Sequence, residues 1–297
     1  MLRLRRAFAA AAAALLALTA VPAGATEPAR HFGARTLDGV DADPDSPVNQ
    51  AGTYLEIDVP GTNGYICSGT LITEIHVLTA KHCVYTENDK QQIMESATAY
   101  IGLDRFDPAD KSTISASGVK VHPAADLAVL TLDQPASNTT SAEVWGGDVN
   151  VEETEFFASG FGTGAANDPL WYMGQAPIDV TGRDTFTLSD VDDTVQNGYF
   201  GYPMGPARIT QGDSGGPLHD YDQILGVNSG VAFEDPYGMT FIPTQDHAAW
   251  IESAAPGSVE GLQEPAPAPM SGPSPAAAIP SLVAAVQGQL LSLIGVE

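Results

Sequence analysis

Short apolar runs, rich in β-branched and aromatic residues, alternate along most of this chain with clusters of Gly, Pro, Asn and Asp. The runs at 54–59, 71–78, 127–132, 155–159 and 224–227 are examples. Short strands broken by frequent turns predict an all-β sandwich or barrel. One helix is expected at the end of this region. Thr244 is placed to cap it, and His247, Ala248, Ala249, Trp250 and Ile251 give it an apolar side for docking.

The two ends of the chain read differently. Arg3, Arg5 and Arg6 precede an alanine- and leucine-rich stretch, which leads to Ala23-Gly24-Ala25. A basic start, a short apolar core and a small-residue cleavage site make residues 1–25 a secretory signal peptide. The apolar stretch is short of the ~20 residues that a membrane span needs. Beyond Pro256, Glu264-Pro265-Ala266-Pro267-Ala268-Pro269 and further prolines predict a semi-extended linker. The last segment is apolar but interrupted by Gln287, Gly288 and Gln289. Residues 256–297 are therefore a Pro-rich linker and an apolar tail, which could lie on the cell envelope or dock back on the protein. No internal repeat is present.

The net charge is -25, from 12 basic and 37 acidic residues, and losing the signal arginines makes the chain more acidic still. Such a surface repels nucleic acid, which excludes that class of partner. It suits a soluble exported protein and would attract cationic peptides. Two cysteines, Cys67 and Cys83, form an isolated even pair in an exported chain and read as a disulfide. Closing that loop restricts the unfolded chain by about 3 kcal/mol. The spacing is neither C-x-x-C nor a zinc pattern, and no calcium-ligand spacing is visible, so no metal is expected.

Three segments carry candidate chemistry. In Gln211-Gly212-Asp213-Ser214-Gly215-Gly216-Pro217 a serine is flanked by glycines, so the backbone can turn sharply and expose the hydroxyl. The amides of Gly212 and Ser214 can then point at one spot, two donors for a developing oxyanion. In Leu78-Thr79-Ala80-Lys81-His82-Cys83 an imidazole sits beside a disulfide that would fix it, ready to take a proton near pH 7. Asp126 leads into the apolar run at 127–132. An isolated Asp there is most simply a solvated turn residue; drawn inside, it needs a donor such as an imidazole N–H.

Taken together these segments resemble the chymotrypsin/trypsin-like serine endopeptidases, in their bacterial secreted branch. His82, Asp126 and Ser214 follow that family's order and approximate spacing. Ser159-Gly160-Phe161-Gly162-Thr163 is similar to its Gly-Trp-Gly segment with Phe161 for tryptophan. Leu225-Gly226-Val227-Asn228-Ser229-Gly230 is similar to the strand lining its specificity pocket, and Trp250 sits in a similar terminal helix. The resemblance covers residues 36–255. It implies two six-stranded antiparallel β-barrels, at 36–140 and 141–255, with the site in the cleft between them. It also implies Ser214 as nucleophile, His82 as general base, Asp126 as the carboxylate that orients it, and the Gly212 and Ser214 amides as oxyanion hole. Ser229, Gly230 and Arg208 would line the substrate pocket. No cofactor is implied, and a monomer acting on peptides or proteins outside the cell is expected.

Departures from the family are informative. Relatives carry several disulfides where this chain has one. The family pairs the residue equivalent to Asp213 with a new N-terminus; a cut after Arg35, removing a propeptide at 26–35, would expose Thr36-Leu37-Asp38-Gly39 in place of the usual Ile or Val start. Lys81 beside the histidine is unusual and reads as solvated. Arg208 stands where trypsin-like members hold an aspartate, which argues against Lys or Arg at P1 and for an acidic residue, although Glu234 and Asp235 would rim the same pocket. An exported binding or adhesion protein on the same fold is the alternative function. Hydrolysis of esters by the same groups is a third.

Overall fold

The computed structural model describes residues 39–86, 92–104, 112–137, 139–163, 172–187, 194–232 and 237–262. The expected signal peptide, propeptide, Arg35 cut, Glu234, Asp235 and the tail beyond 262 lie outside the described residues.

Six strands form the first barrel: β1 (Gly52–Asp58), β2 (Tyr65–Thr73), β3 (His76–Thr79), β4 (Ser96–Ile101), β5 (Ser112–Val121) and β6 (Ala128–Leu132). They pair antiparallel in the closed order β1-β2-β3-β6-β5-β4. Register follows the pleat: Leu55 faces Cys67 on one side and Ala99 on the other, and all three are buried. Leu55 and Ile57 point into the barrel, while Asp58 is exposed.

The second barrel repeats this plan with β7 (Phe156–Gly160), β8 (Gly174–Thr187), β9 (Thr194–Pro203), β10 (Pro217–His219), β11 (Gln223–Val231) and β12 (Met239–Pro243). The pairings run β10-β7-β8-β9-β12-β11, and Pro217 opposite Val227 closes the ring. Counted from its own first strand, each barrel has the order 1-2-3-6-5-4, so the all-β, two-barrel expectation is met. The second core gathers Phe156, Ile178, Tyr199, Leu218 and Phe241. Between the barrels Tyr54 of β1 meets Phe161 just after β7, ring edge to ring face at 5.8 Å, with Met173 and Leu103 beside them. Phe161 is fully buried there.

Three local expectations change. The run at 71–78 is two strands, not one: Thr73 Oγ1 accepts the Ile75 amide at 3.3 Å and bonds His76 Nδ1 at 2.8 Å, folding the chain back at residues 74 and 75. The final helix, Thr244–Ala254, begins after Pro243, and Thr244 does not cap it. Its hydroxyl instead reaches Trp145 O at 2.8 Å and Ile224 O at 3.2 Å, tying the helix to the second sheet. The folded sheet also continues past the composition break at Pro256, because Val259–Glu260 pairs in parallel with Glu143–Trp145. Among the described residues no helix is long and apolar enough to cross a membrane.

Candidate active site

His82 lies on the helical turn Lys81–Val84, directly after β3. The Cys67–Cys83 disulfide pins that turn to β2 across a sequence separation of 16. Asp126 precedes β6, which pairs with β3, so sheet register brings the two together. Asp126 Oδ1 accepts the His82 backbone amide and Oδ2 accepts His82 Nδ1, both at 2.8 Å. Oδ2 also accepts the Ser229 hydroxyl at 2.6 Å. The carboxylate is 5% exposed. Burial alone would raise its pKa. The His82 charge and the bonds from His82 and Ser229 outweigh that, and hold Asp126 below the usual carboxylate range. A carboxylate can only accept, so Nδ1 carries a proton, and in the neutral form of the ring Nε2 is left with a lone pair. The His82 side chain is 20% exposed, open enough for a substrate to reach it.

The serine loop comes from the second barrel, between β9 and β10. It is held by the first barrel at both ends: Ser68 N donates to Ser214 O at 2.8 Å, and Ser68 Oγ donates to Gly212 O at 2.8 Å. Thr79 Oγ1 in turn donates to Ser68 O. Cys83 Sγ lies 3.8 Å from Ser214 O, which places the serine alongside the histidine turn. Gly212 has φ +100° and Gly215 φ +81°, a region that disfavours side chains. A side chain at Gly215 would also run into Thr79 Oγ1 and Ser68 O. Among the described residues the Gly212 and Ser214 amides donate to no protein acceptor, whereas Asp213 N, Gly215 N and Gly216 N each do.

Asp213 explains part of this geometry. Its side chain is buried, with Oδ1 accepting Gly162 N at 2.7 Å and Oδ2 accepting Thr210 N at 2.8 Å and Thr210 Oγ1 at 3.2 Å. Burial pushes its pKa up to about 6 against those three donors. Its carbonyl accepts Asn228 Nδ2 at 3.0 Å. Thr210, Asn228 and Ser68 therefore shape the loop, and nothing in their sequence surroundings announced it. Ser229, expected to line the pocket, turns its hydroxyl to Asp126. Gly230 follows it on β11, its carbonyl accepting Thr240 Oγ1 at 3.1 Å.

Arg208, expected to line the pocket, is half-buried. Its Nη1 donates to Ala207 O at 2.6 Å and Pro206 O at 3.1 Å, and its guanidinium lies 5.3 Å from the Tyr237 ring centre. The Cys67, His82 and Cys83 donor atoms lie within 4.8 Å of one another, but both sulfurs are committed to the disulfide and Nδ1 to Asp126. That set does not suit a metal.

Two closed barrels, an imidazole–carboxylate pair and a glycine-rich serine loop are the architecture of chymotrypsin-like serine peptidases. The trypsin family model matches residues 45–251, and the chain belongs to that family. An uncharacterised peptidase of Corynebacterium glutamicum (strain R) is 30% identical over 196 residues, covering 62% of each chain, so the match spans less than two thirds of that relative. Human chymotrypsin-like elastase family member 3A is 26% identical over 250 residues, 76% of this chain and 88% of that protein. Human heparin binding protein shares the fold with a TM-score of 0.54 and 19% identity, over 78% of this chain and 99% of its own.

Proposed function

We propose that the protein is a secreted serine endopeptidase. The observation that carries this reading is the pair of amides at Gly212 and Ser214, unpartnered among the described residues, beside the turn of a histidine whose Nδ1 is held by a buried carboxylate. In this reading Ser214 Oγ attacks the scissile carbonyl as its proton passes to His82 Nε2. The oxyanion is received by the two amides, and Asp126 stabilises the imidazolium. His82 then gives its proton to the leaving amine, the C–N bond breaks, and an acyl-enzyme on Ser214 remains for water to hydrolyse by the same route. Export rests on residues 1–25.

At P1, the Arg208 cation beside the loop disfavours Lys and Arg and favours an acidic residue. Rapid cleavage of Arg-containing chromogenic peptides would refute that preference. The function itself is tested by a serine-directed phosphonate followed by a peptide library. The expected result is covalent labelling at Ser214, absent in Ser214→Ala, together with peptide cleavage. A processed protein that is neither labelled nor active would instead be a binding protein on this fold.

A further inference from the structure

The turn that delivers Asp126 contains His122-Pro123-Ala124-Ala125, and it has no side chain except His122 that can serve its backbone. Leaving β5, the chain closes on itself through His122 N to Leu127 O and Leu127 N to Ala125 O, both 2.8 Å. This leaves the amides of Ala124 and Ala125 pointing inward, and His122 Nδ1 accepts both, at 3.1 and 2.7 Å. Both partners are donors, so Nδ1 is an unprotonated acceptor and the ring proton sits on Nε2.

The same imidazole is held edge-on by the C-terminal helix, 4.7 Å from the His247 ring and 5.0 Å from Trp250. A second tie joins these elements, because Lys120 Nζ of β5 donates to Ala254 O at 3.0 Å. Lys81, next to the histidine of the site, lies near enough to act on His122 by its charge. Two elements therefore converge on one ring: the Asp126 turn and the terminal helix.

We propose that His122 is a positioning residue, whose neutral Nδ1 locks the turn carrying Asp126 and so aligns Asp126 with His82. The inference rests on the peptidase reading above. Protonation turns Nδ1 from an acceptor into a donor, which would face two N–H groups and open the turn. Burial, and then the Lys81 charge, lower the His122 pKa and keep the ring in its accepting form. His247 is likewise lowered, to about 4, chiefly by burial and then by His122, with Asp246 opposing and Arg183 assisting. It presents no competing cation near neutrality. Lys81, unusual at that position, acts in the same direction, disfavouring a positive charge on the Asp126 turn.

The test compares His122→Phe, which keeps a ring but loses the acceptor, with His122→Asn, whose Oδ1 can accept the same two amides without titrating. The Phe variant should lose roughly tenfold in kcat with KM within about twofold, as expected for misalignment rather than weaker binding. The Asn variant should recover most of that loss. In the wild type kcat should fall at acid pH with the loss of two protonation-sensitive groups, in the Asn variant with one, and in Lys81→Gln with the second step moved upward. Unchanged kcat in His122→Phe overturns the proposal, as does equal loss in Phe and Asn, or an unchanged acid limb in Asn. Phosphonate labelling of wild-type Ser214 separates this from failure of the peptidase reading. If the wild type is inert, carbon NMR of the Asp126 carboxyl decides. A shift as His122 protonates, absent in His122→Asn, supports the proposal, and no shift overturns it.

Discussion

His219 gives the clearest quantitative test of the second barrel. It ends β10 with its ring wholly buried, Nε2 2.9 Å from Ser159 Oγ and Nδ1 accepting Tyr221 N at 3.1 Å. Burial alone lowers its pKa to about 3 from the ordinary 6.5. In the unfolded chain the same imidazole takes a proton near 6.5, so between pH 6.5 and about 3 the unfolded state binds more protons and stability falls as pH falls. Each unit is about 1.4 kcal/mol, giving about 5 kcal/mol over the whole window. His219→Gln keeps a donor for Ser159 and cannot titrate. It should cost roughly 2 kcal/mol at pH 7 through the lost Tyr221 bond and imperfect packing. That cost is independent of pH, whereas the wild-type penalty grows on acidification. Urea unfolding at pH 7, 5.5 and 4 should therefore show the difference shrinking by about 1.4 kcal/mol per unit below 6.5, with the variant more stable by about pH 4. Asp126 and Asp213 also titrate differently in the folded state, but they are common to both proteins and cancel in the difference. A difference that stays flat from pH 7 to 4 would mean that His219 is protonated in place, and the burial reasoning would be wrong.

Two further outcomes follow from the site. Ser229→Ala removes a 2.6 Å bond to Asp126; it should raise the Asp126 pKa and cost roughly 1 to 2 kcal/mol of transition-state stabilisation, about 5- to 30-fold in kcat, with KM little changed. Replacing both Cys67 and Cys83 with alanine should lower stability by about 3 kcal/mol in urea unfolding. It should also reduce kcat by more than the unfolded fraction accounts for, because the His82 turn loses its anchor to β2.

The barrels and the candidate triad were legible in the sequence for different reasons. Strand texture and turn clusters follow from backbone physics, so the all-β class could be read residue by residue. The chemistry was legible only in combination, since a glycine-flanked serine, a histidine beside cysteine and an Asp before an apolar run are each ordinary alone. What stayed hidden were roles assigned by tertiary contact. Thr244 carries a good capping side chain, yet the backbone turns helical one residue earlier than a cap requires, with Pro243 at the cap position, and the Thr244 hydroxyl donates to two carbonyls of the second sheet instead. The Ser229 bond to Asp126 stayed hidden because strand pattern says which face a side chain is on, not which carboxylate it meets there. Arg208 was legible by its position, but its partners, the carbonyls of Pro206 and Ala207 and the Tyr237 ring, depend on how the backbone around it folds.

Contacts between the barrels join those within each barrel in building the site. The first barrel supplies His82 and Asp126, and the second supplies Ser214 and the two amides. Ser68 of β2 grips the serine loop through both its amide and its hydroxyl, while Ser229 of β11 reaches across to Asp126. Phe161 N donates to Ser68 Oγ at 2.8 Å, so the segment that boxes in Asp213 is tied to the same serine. Each barrel thus holds a candidate site group of the other. Ser68 is fully buried with donors and acceptors on every side, and a hydroxyl in such a network leaves several groups unsatisfied when removed. In the peptidase reading, alignment of Ser214 with His82 is therefore a property of the barrel interface, and loosening that interface should separate the two halves of the candidate site before either barrel need unfold.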